Sequence, residues 1–349
     1  MSKPNPTIAL LGLILLLSGC SATNRLTISA VEPAAVYLAP ETQNVAIINR
    51  STASEAYAGV DAIDKILSAE GMKLDEKGAD AAVDALRHEL NADGRFTNVI
   101  IIDSLNLANK GLGVFPARLD WDYVDALCKK YKADVLFALE FYDTDTQASY
   151  ALTSRNIPNS LGINVKIPYH RVTLNTRINN GWRIYDPYGK LVLDEVASEQ
   201  FVSAVGEGIN PVKAVEAVIG REEGVIERSK YIGNQYAWRL RPVKKRVSRD
   251  YFVRGTDNFK VAKRRAQTGD WDGAAVLWEK ELRNPKRKVA GRANYNMAII
   301  NEINGNLEKA IEWASRSYTE YRNKEALRYM HLLNYRAAEQ AELERQMSR

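Results

Sequence analysis

Cysteine and histidine are scarce in this chain of 349 residues, which holds two of the first and three of the second. Two thiols cannot build a disulfide framework, and histidines as far apart as His88, His170 and His331 do not supply the ligand spacing of a His-rich metal centre. Beyond residue 20 no apolar run approaches the roughly 20 residues that a membrane-spanning helix needs. Gly-x-Ser-x-Gly and a lysine-bearing phosphate loop are missing, and Gly111-Leu112-Gly113 lacks the third glycine and the strand-to-helix setting of a dinucleotide loop. No cofactor, metal or nucleotide is therefore expected. Glycine (21), proline (11) and aromatics (9%) are near average usage, which excludes a collagen-like or low-complexity chain. What remains is 46% hydrophobic and 26% charged, with length for about two domains of roughly 150 residues each.

The opening is a targeting segment. Met-Ser-Lys precedes an apolar run from Thr7 to Leu17, too short to span a bilayer, and then Leu17-Ser18-Gly19-Cys20. Residues 1–19 read as a signal peptide, and the bland alternative is a secretory peptide ending in a chance cysteine. Leu17-Ser18-Gly19-Cys20 resembles the bacterial lipoprotein box at all four positions. The resemblance implies a mature chain starting at a lipidated Cys20, held in a membrane by acyl chains that contribute about 0.8 kcal/mol per buried CH₂. Ser21 stands where aspartate would resemble an inner-membrane retention signal, and Ala22-Thr23-Asn24-Arg25 lacks the acidic cluster of a surface-export signal. These point to an outer-membrane lipid anchor and a body facing the periplasm. Cys128 is left without a partner thiol and is expected to be buried.

Val45-Ala46-Ile47-Ile48, Val99-Ile100-Ile101-Ile102 and Val135-Leu136-Phe137-Ala138-Leu139 read as buried parallel strands. Between them, Val83, Leu86 and Leu90 recur at helical spacing, as do Trp121, Val124, Cys128 and Tyr131, so βαβ crossovers are expected. From Arg171 apolar and polar residues alternate. Asn180-Gly181 reads as a hairpin turn, followed by strands over Trp182 to Asp186 and Leu191 to Val202 about the turn sequence Asp186-Pro187-Tyr188-Gly189. The expected fold class is α/β, a small mixed sheet with βαβ crossovers and an antiparallel meander, followed by an all-α region. The boundaries read as an α/β domain over 20–208, a basic helical linker over 209–250 and helical repeats over 251–349.

Two segments of the tail are alike. Gly269-Asp270-Trp271-Asp272-Gly273-Ala274 with Trp278 parallels Gly305-Asn306-Leu307-Glu308-Lys309-Ala310 with Ala314, at an offset of 36. That offset is close to the roughly 34-residue tetratricopeptide period. Ala262 and Ala298 repeat in the preceding helices. The match is degenerate: Arg265 and Asn301 stand where that family usually has tyrosine, and Glu281 and Ser317 where it has alanine. Lys324 to Met347 reads as a further helical pair or cap. The lipobox, the strand Val45-Ala-Ile-Ile-Asn-Arg50, Tyr236-Ala-Trp-Arg-Leu-Arg-Pro242, and Trp271, Trp278 and Tyr295-Asn-Met-Ala298 together resemble uncharacterised Bacteroidota lipoproteins with tetratricopeptide-like tails. That resemblance implies no known activity. More distantly, the strand order of the α/β half resembles the N-terminal domain of TolB and curli-type lipoprotein domains, an analogy of fold only.

Glu140, Asp143 and Asp145 follow an expected parallel strand, where α/β sheets place ligands, so an acid/base or metal role stands beside the reading of a solvated strand end leading into a loop. Charge divides the chain: residues from Asn210 onward carry +11 and the remainder −6. Arg239, Arg241, Lys244, Lys245, Arg246 and Arg249 cluster at the junction, either as a patch that steers acidic protein surfaces, lipid phosphates or lipopolysaccharide, or as a solvated linker face or an intramolecular dock onto the acidic domain. Trp271, Trp278, Tyr295 and Trp313 read mainly as core, with some available to a partner in a helical groove. The expectation is a non-enzymatic lipoprotein bound to the membrane through Cys20 and recruiting an envelope protein, with nucleic acid disfavoured as a partner by compartment. A glycan or peptide hydrolase using Glu140, Asp143 or Asp145, and a secretion or pore component using the Arg171 to Val202 meander, are the alternatives.

Overall fold

The computed structural model describes residues 22–51, 62–102, 114–158, 160, 162–218 and 220–348, with the backbone alone for 62–72. The signal segment with Cys20, and Gly111-Leu112-Gly113, lie outside the described residues. The described residues form two compact units, one within Ala34–Arg241 and a second one that joins residues 22–33 to Pro242–Ser348.

The first unit is α/β. Strands β2 (Asn44–Asn49), β3 (Asn98–Ile102), β4 (Val135–Pro158), β5 (Asn164–Asp186) and β6 (Leu191–Gly208) lie in the order β3-β2-β4-β5-β6. β2 is parallel to both β3 and β4, and β4, β5 and β6 are antiparallel neighbours. Helix α1 (Ala62–Ala92) links β2 to β3 and α2 (Trp121–Tyr131) links β3 to β4. The continuous apolar runs of β2 and β4 are explained by cover on both faces. Ile47, Phe137 and Leu139 pack with Leu86 and Leu90 of α1 and with Ile232 and Tyr236 of α4 (Arg221–Trp238). Ala46, Ile48, Leu136 and Ala138 pack on the other side with Val124, Leu127 and Cys128 of α2. Gly233 lets α4 close on α1, since a Cβ there would lie 2.1 Å from the Ala82 carbonyl oxygen. A short helix, α3 (Pro211–Glu216), seats Ala214 and Val215 on Val172 and Leu174 of β5.

Asn180-Gly181 is not a turn. β5 runs straight through it, because both flanking side chains belong to the core: a Cβ on Gly181 would meet the Phe141 ring at 2.1 Å, and Trp182 stacks on Tyr236 with centroids 4.9 Å apart. Asn180 is buried and accepts a 3.1 Å bond from the Trp182 indole. The reversal comes instead at Asp186-Pro187-Tyr188-Gly189, where the Asp186 carboxylate accepts from the Tyr188 amide at 2.9 Å. β4 likewise continues as strand to Pro158 rather than ending in a loop after Leu139.

The second unit begins with an antiparallel ribbon, β1 (Thr23–Glu32) on β7 (Val243–Phe252), whose inner face carries Leu26, Ala30, Arg249 and Tyr251. The expected boundaries are therefore corrected at both ends. Residues 22–33 belong with the helical tail, and the segment read as a basic linker contributes α3 and α4 to the first unit and a strand to the second. Lysine and arginine had masked a period of two in β7, whose inward positions are Val247, Arg249 and Tyr251. Helices α5 (Asp257–Gln267), α6 (Trp271–Glu279), α7 (Arg287–Ile303), α8 (Leu307–Thr319) and α9 (Lys324–Met347) follow. The two similar segments form equivalent hairpins. Gly269 and Gly305 take φ of 83° and 77°, the left-handed region open to glycine. Asp270 and Asn306 cap the next helix by accepting from Gly273 and Lys309 amides. Ala262 and Ala298, Ala274 and Ala310, and Trp278 and Ala314 are all fully buried. Lys324–Met347 is a single helix, not a pair.

Two outcomes follow. The fragment 34–241 is expected to unfold cooperatively with protected strand amides, measured by circular dichroism and hydrogen exchange, because its core is complete without the ribbon. Ala274→Arg is expected to cost about 3 kcal/mol or more, by overpacking and an unpaired buried charge. Lys309→Ala, on an exposed position, should stay within about 0.5 kcal/mol in the same denaturant titration.

Candidate functional site

Glu140 is the most chemically loaded carboxylate of the α/β unit, and a β-bulge puts it there. Leu139 pairs with Trp182 and Phe141 with Gly181, so Glu140 is the extra residue between them. Such a residue re-aims its side chain and shifts the alternation beyond it. Its carboxylate is fully buried. The Tyr185 hydroxyl donates to it at 2.6 Å, Arg50 pairs with its other oxygen, and an Arg183 guanidinium nitrogen lies 3.6 Å away. Arg183 also pairs with Glu195 at 2.8 Å, donates to the Pro116 carbonyl and lies over the Phe115 ring. Burial pushes the Glu140 carboxyl up, against the downward pull of Tyr185, Arg50 and Arg183. The group holds β2, β4, β5 and β6 to the segment 115–117.

The three carboxylates singled out as an acid/base set do not converge. Asp143 is half-buried, while Asp145 is exposed and paired with Arg177 at 3.0 Å. A cleft of about 810 Å³ beside β2, β3 and α1 is lined by Asn49, Asp80, Asp84 and Arg87, with none of the three in its wall. Among the described residues no group of three or more His, Cys, Asp or Glu side chains is placed to hold a metal ion, and no helix is long and apolar enough to cross a membrane. Cys128 is buried, and burial with the nearby Asp125 pushes its thiol up to about 11, so it stays protonated and unreactive at neutral pH.

The six basic residues read as one cluster are divided between the units. In the first, Arg239 makes a two-pronged contact with Asp194, both bonds 2.9 Å, and Arg241 pairs with Glu89 at 3.0 Å and Asp93 at 2.7 Å. In the second, Lys245 pairs with Glu32, while Arg249 is buried on the inner face of the ribbon and pairs with Glu302 of α7 at 2.8 Å. Lys244 and Arg246 stand exposed on the outer face, opposite Val31 and Ser29, with no carboxylate partner among the described residues. Of the aromatics, Trp278 and Tyr295 are core, and Trp271 and Trp313 are half-buried against the same cluster.

Sequence reasoning missed Glu302, a carboxylate buried in the helical unit. It accepts from Arg249, from the Tyr329 hydroxyl and from Arg336, tying β7 to α7 and α9. The available signal was its position beside Ile299, Ile300 and Ile303, a carboxylate on an apolar helix face. Burial pushes it up, but these donors outweigh burial and hold it below the ordinary glutamate value.

The family described as "Domain of unknown function (DUF8603)" matches residues 42–252, and the chain belongs to that family. A second, "Domain of unknown function (DUF6340)", matches residues 260–338. No curated protein matches. Among solved structures, the PelC dodecamer from Paraburkholderia phytofirmans aligns at 11% identity over 62% of this chain and 99% of its own, with a TM-score of 0.25. A single-substitution variant of that dodecamer aligns at 12% identity over 62% and 98%, with a TM-score of 0.22. Similarity this weak carries no argument about fold or assembly.

Because Glu302 is depressed in the folded state, the stability it gives is complete above the ordinary glutamate value of 4.5 and is lost as pH falls below it. Acid titration of the whole chain should therefore weaken the helical unit, read by hydrogen exchange at α7 and α9. Glu302→Gln should flatten that acid slope. At neutral pH it should cost about 3–5 kcal/mol by stranding Arg249, and Arg249→Met with Glu302→Leu should recover most of the loss.

Proposed function

We propose that this member of the DUF8603 family is a lipid-anchored protein of the bacterial cell envelope, of Bacteroidota type, that recruits a protein partner and catalyses no reaction itself. The observation that carries the reading is Leu17-Ser18-Gly19-Cys20 behind a short apolar run, with Ser21 favouring the outer membrane and a periplasm-facing body. An anchor at Cys20 would leave two residues before β1, so the unit tethered directly is the ribbon with its helical tail. The tail is tetratricopeptide-like in this reading, supported by the two hairpins with equivalent glycine turns, caps and buried alanines. A partner with an acidic surface suits Lys244 and Arg246 on the open face of the ribbon and the excess positive charge of the tail. Against catalysis stands the enclosure of Glu140 by donors already committed to it.

Cys20→Ala is expected to move the protein from the detergent-extracted membrane fraction to a soluble or unprocessed form and to abolish palmitate labelling. Identical fractionation and no labelling in either form would sink the anchor. Lys244→Glu with Arg246→Glu should cut crosslinking to a captured envelope protein about fivefold and reduce the salt sensitivity of what remains. Unchanged capture across a salt series would return these residues to a solvated face.

A further inference from the structure

β4 and β5 continue well past the layer of helices. The last packing on them is α3 against Val172 and Leu174, and β6 ends at Gly208, opposite His170. Beyond that level the sheet narrows to two strands, Thr153–Pro158 paired with Asn164–Tyr169, an arm of roughly 20 Å at about 3.3 Å per residue. A two-stranded ribbon is marginal in water without an apolar surface to rest on.

The composition of this arm is unlike the rest of the chain. From Thr146 to Tyr185 no aspartate or glutamate occurs, while Arg155, Lys166, Arg171, Arg177 and Arg183 do, in a chain with 43 acidic residues. Its charges sit in a definite order. At the far end, Ile163 is 60% and Val165 45% exposed, with Ile157 opposite Val165. Behind them come Lys166, opposite Asn156, and Arg155, opposite Ile167. Next come Tyr169, under the Arg155 guanidinium, and Tyr150, hydrogen-bonded to His170. Leu152, 68% exposed, lies on the face opposite Val165. Glu207 of β6 sits at the root of the arm and pairs with Arg155 and Arg171, so one carboxylate meets two guanidinium groups, and among the described residues no carboxylate pairs with Lys166.

We propose that this arm docks into the headgroup region of an anionic lipid surface, tip first. Exposed apolar side chains lie on both faces of the β4–β5 pair, Leu152 at the root of the arm and Val165 on the other face near its tip, whereas a protein groove would cover one face. Aliphatic tip, cations behind it and tyrosines behind those match the order of depth in a bilayer interface, where long basic side chains reach phosphate and aromatics settle at headgroup level. Absence of acidic residues along the arm removes the repulsion such a surface would impose. This does not rest on lipidation at Cys20.

The test uses the chain from Ser21 onward, with both units present and neither leader nor acyl chain. It should cosediment with vesicles of phosphatidylethanolamine and phosphatidylglycerol, and far less with phosphatidylcholine alone. Ile163→Ser with Val165→Ser should weaken this about tenfold, and Lys166→Glu should weaken it and lower its salt sensitivity. Tyr188→Ser, an exposed aromatic at the opposite end of β5, should bind like wild type; matching far-ultraviolet spectra establish that each variant is folded. Failure to cosediment with the anionic vesicles, or equal binding by the tip variants, overturns the proposal. Self-association in sedimentation velocity that the tip variants abolish, without vesicle binding, overturns it in favour of a second copy of the chain.

Discussion

A carboxylate taken out of water has to be met by donors, and each unit of this protein organises several elements around one such group. Glu140 requires Tyr185, Arg50 and Arg183, which come from β5 and from the end of β2, so the bulge of β4 and its pairing with β5 are fixed together. Glu302 requires Arg249, Tyr329 and Arg336, which fixes β7 and α9 against α7. Removing one member of either set leaves an uncompensated charge, whereas replacing a whole set by apolar side chains need not destabilise.

The parallel half of the sheet was legible because its runs of valine, isoleucine and leucine are buried on both faces, and the stripes of Val83, Leu86, Leu90 and of Val124, Cys128 faced where their spacing placed them. The paired helical hairpins were legible because glycine turns and buried alanines repeat at one offset. Asn180-Gly181 misled because a turn dipeptide was read locally, while the Phe141 ring fills the space over Gly181. Arg249 misled for the related reason that its neighbours Lys244, Lys245 and Arg246 are exposed while it is buried against a carboxylate 53 positions away. The ribbon was invisible because β1 and β7 are each polar on one face and far apart in sequence, so neither carries a sign of its partner.

The two readings of function draw on different parts of the molecule. One uses the N-terminal cysteine and the open face of the β1–β7 ribbon; the other uses the far end of the β4–β5 arm. They share a chemical theme, positive charge offered where little negative charge competes, and in both several arginines are already paired with carboxylates and only a few exposed cations are available.

The position of the α/β unit within the chain bears on how the ribbon closes. Between β1 and its partner β7 stand the 208 residues of Ala34–Arg241. Closing so long a flexible loop is costly, though the cost rises by only about 0.6 kcal/mol for each doubling of length. Once the inserted unit has folded, the Val36 amide bonds to the Arg239 carbonyl at 3.0 Å, and the stretches leading to Glu32 and Val243 start side by side. The long loop has then become a short one. Folding of the α/β unit thus shortens the loop that the β1–β7 ribbon has to close.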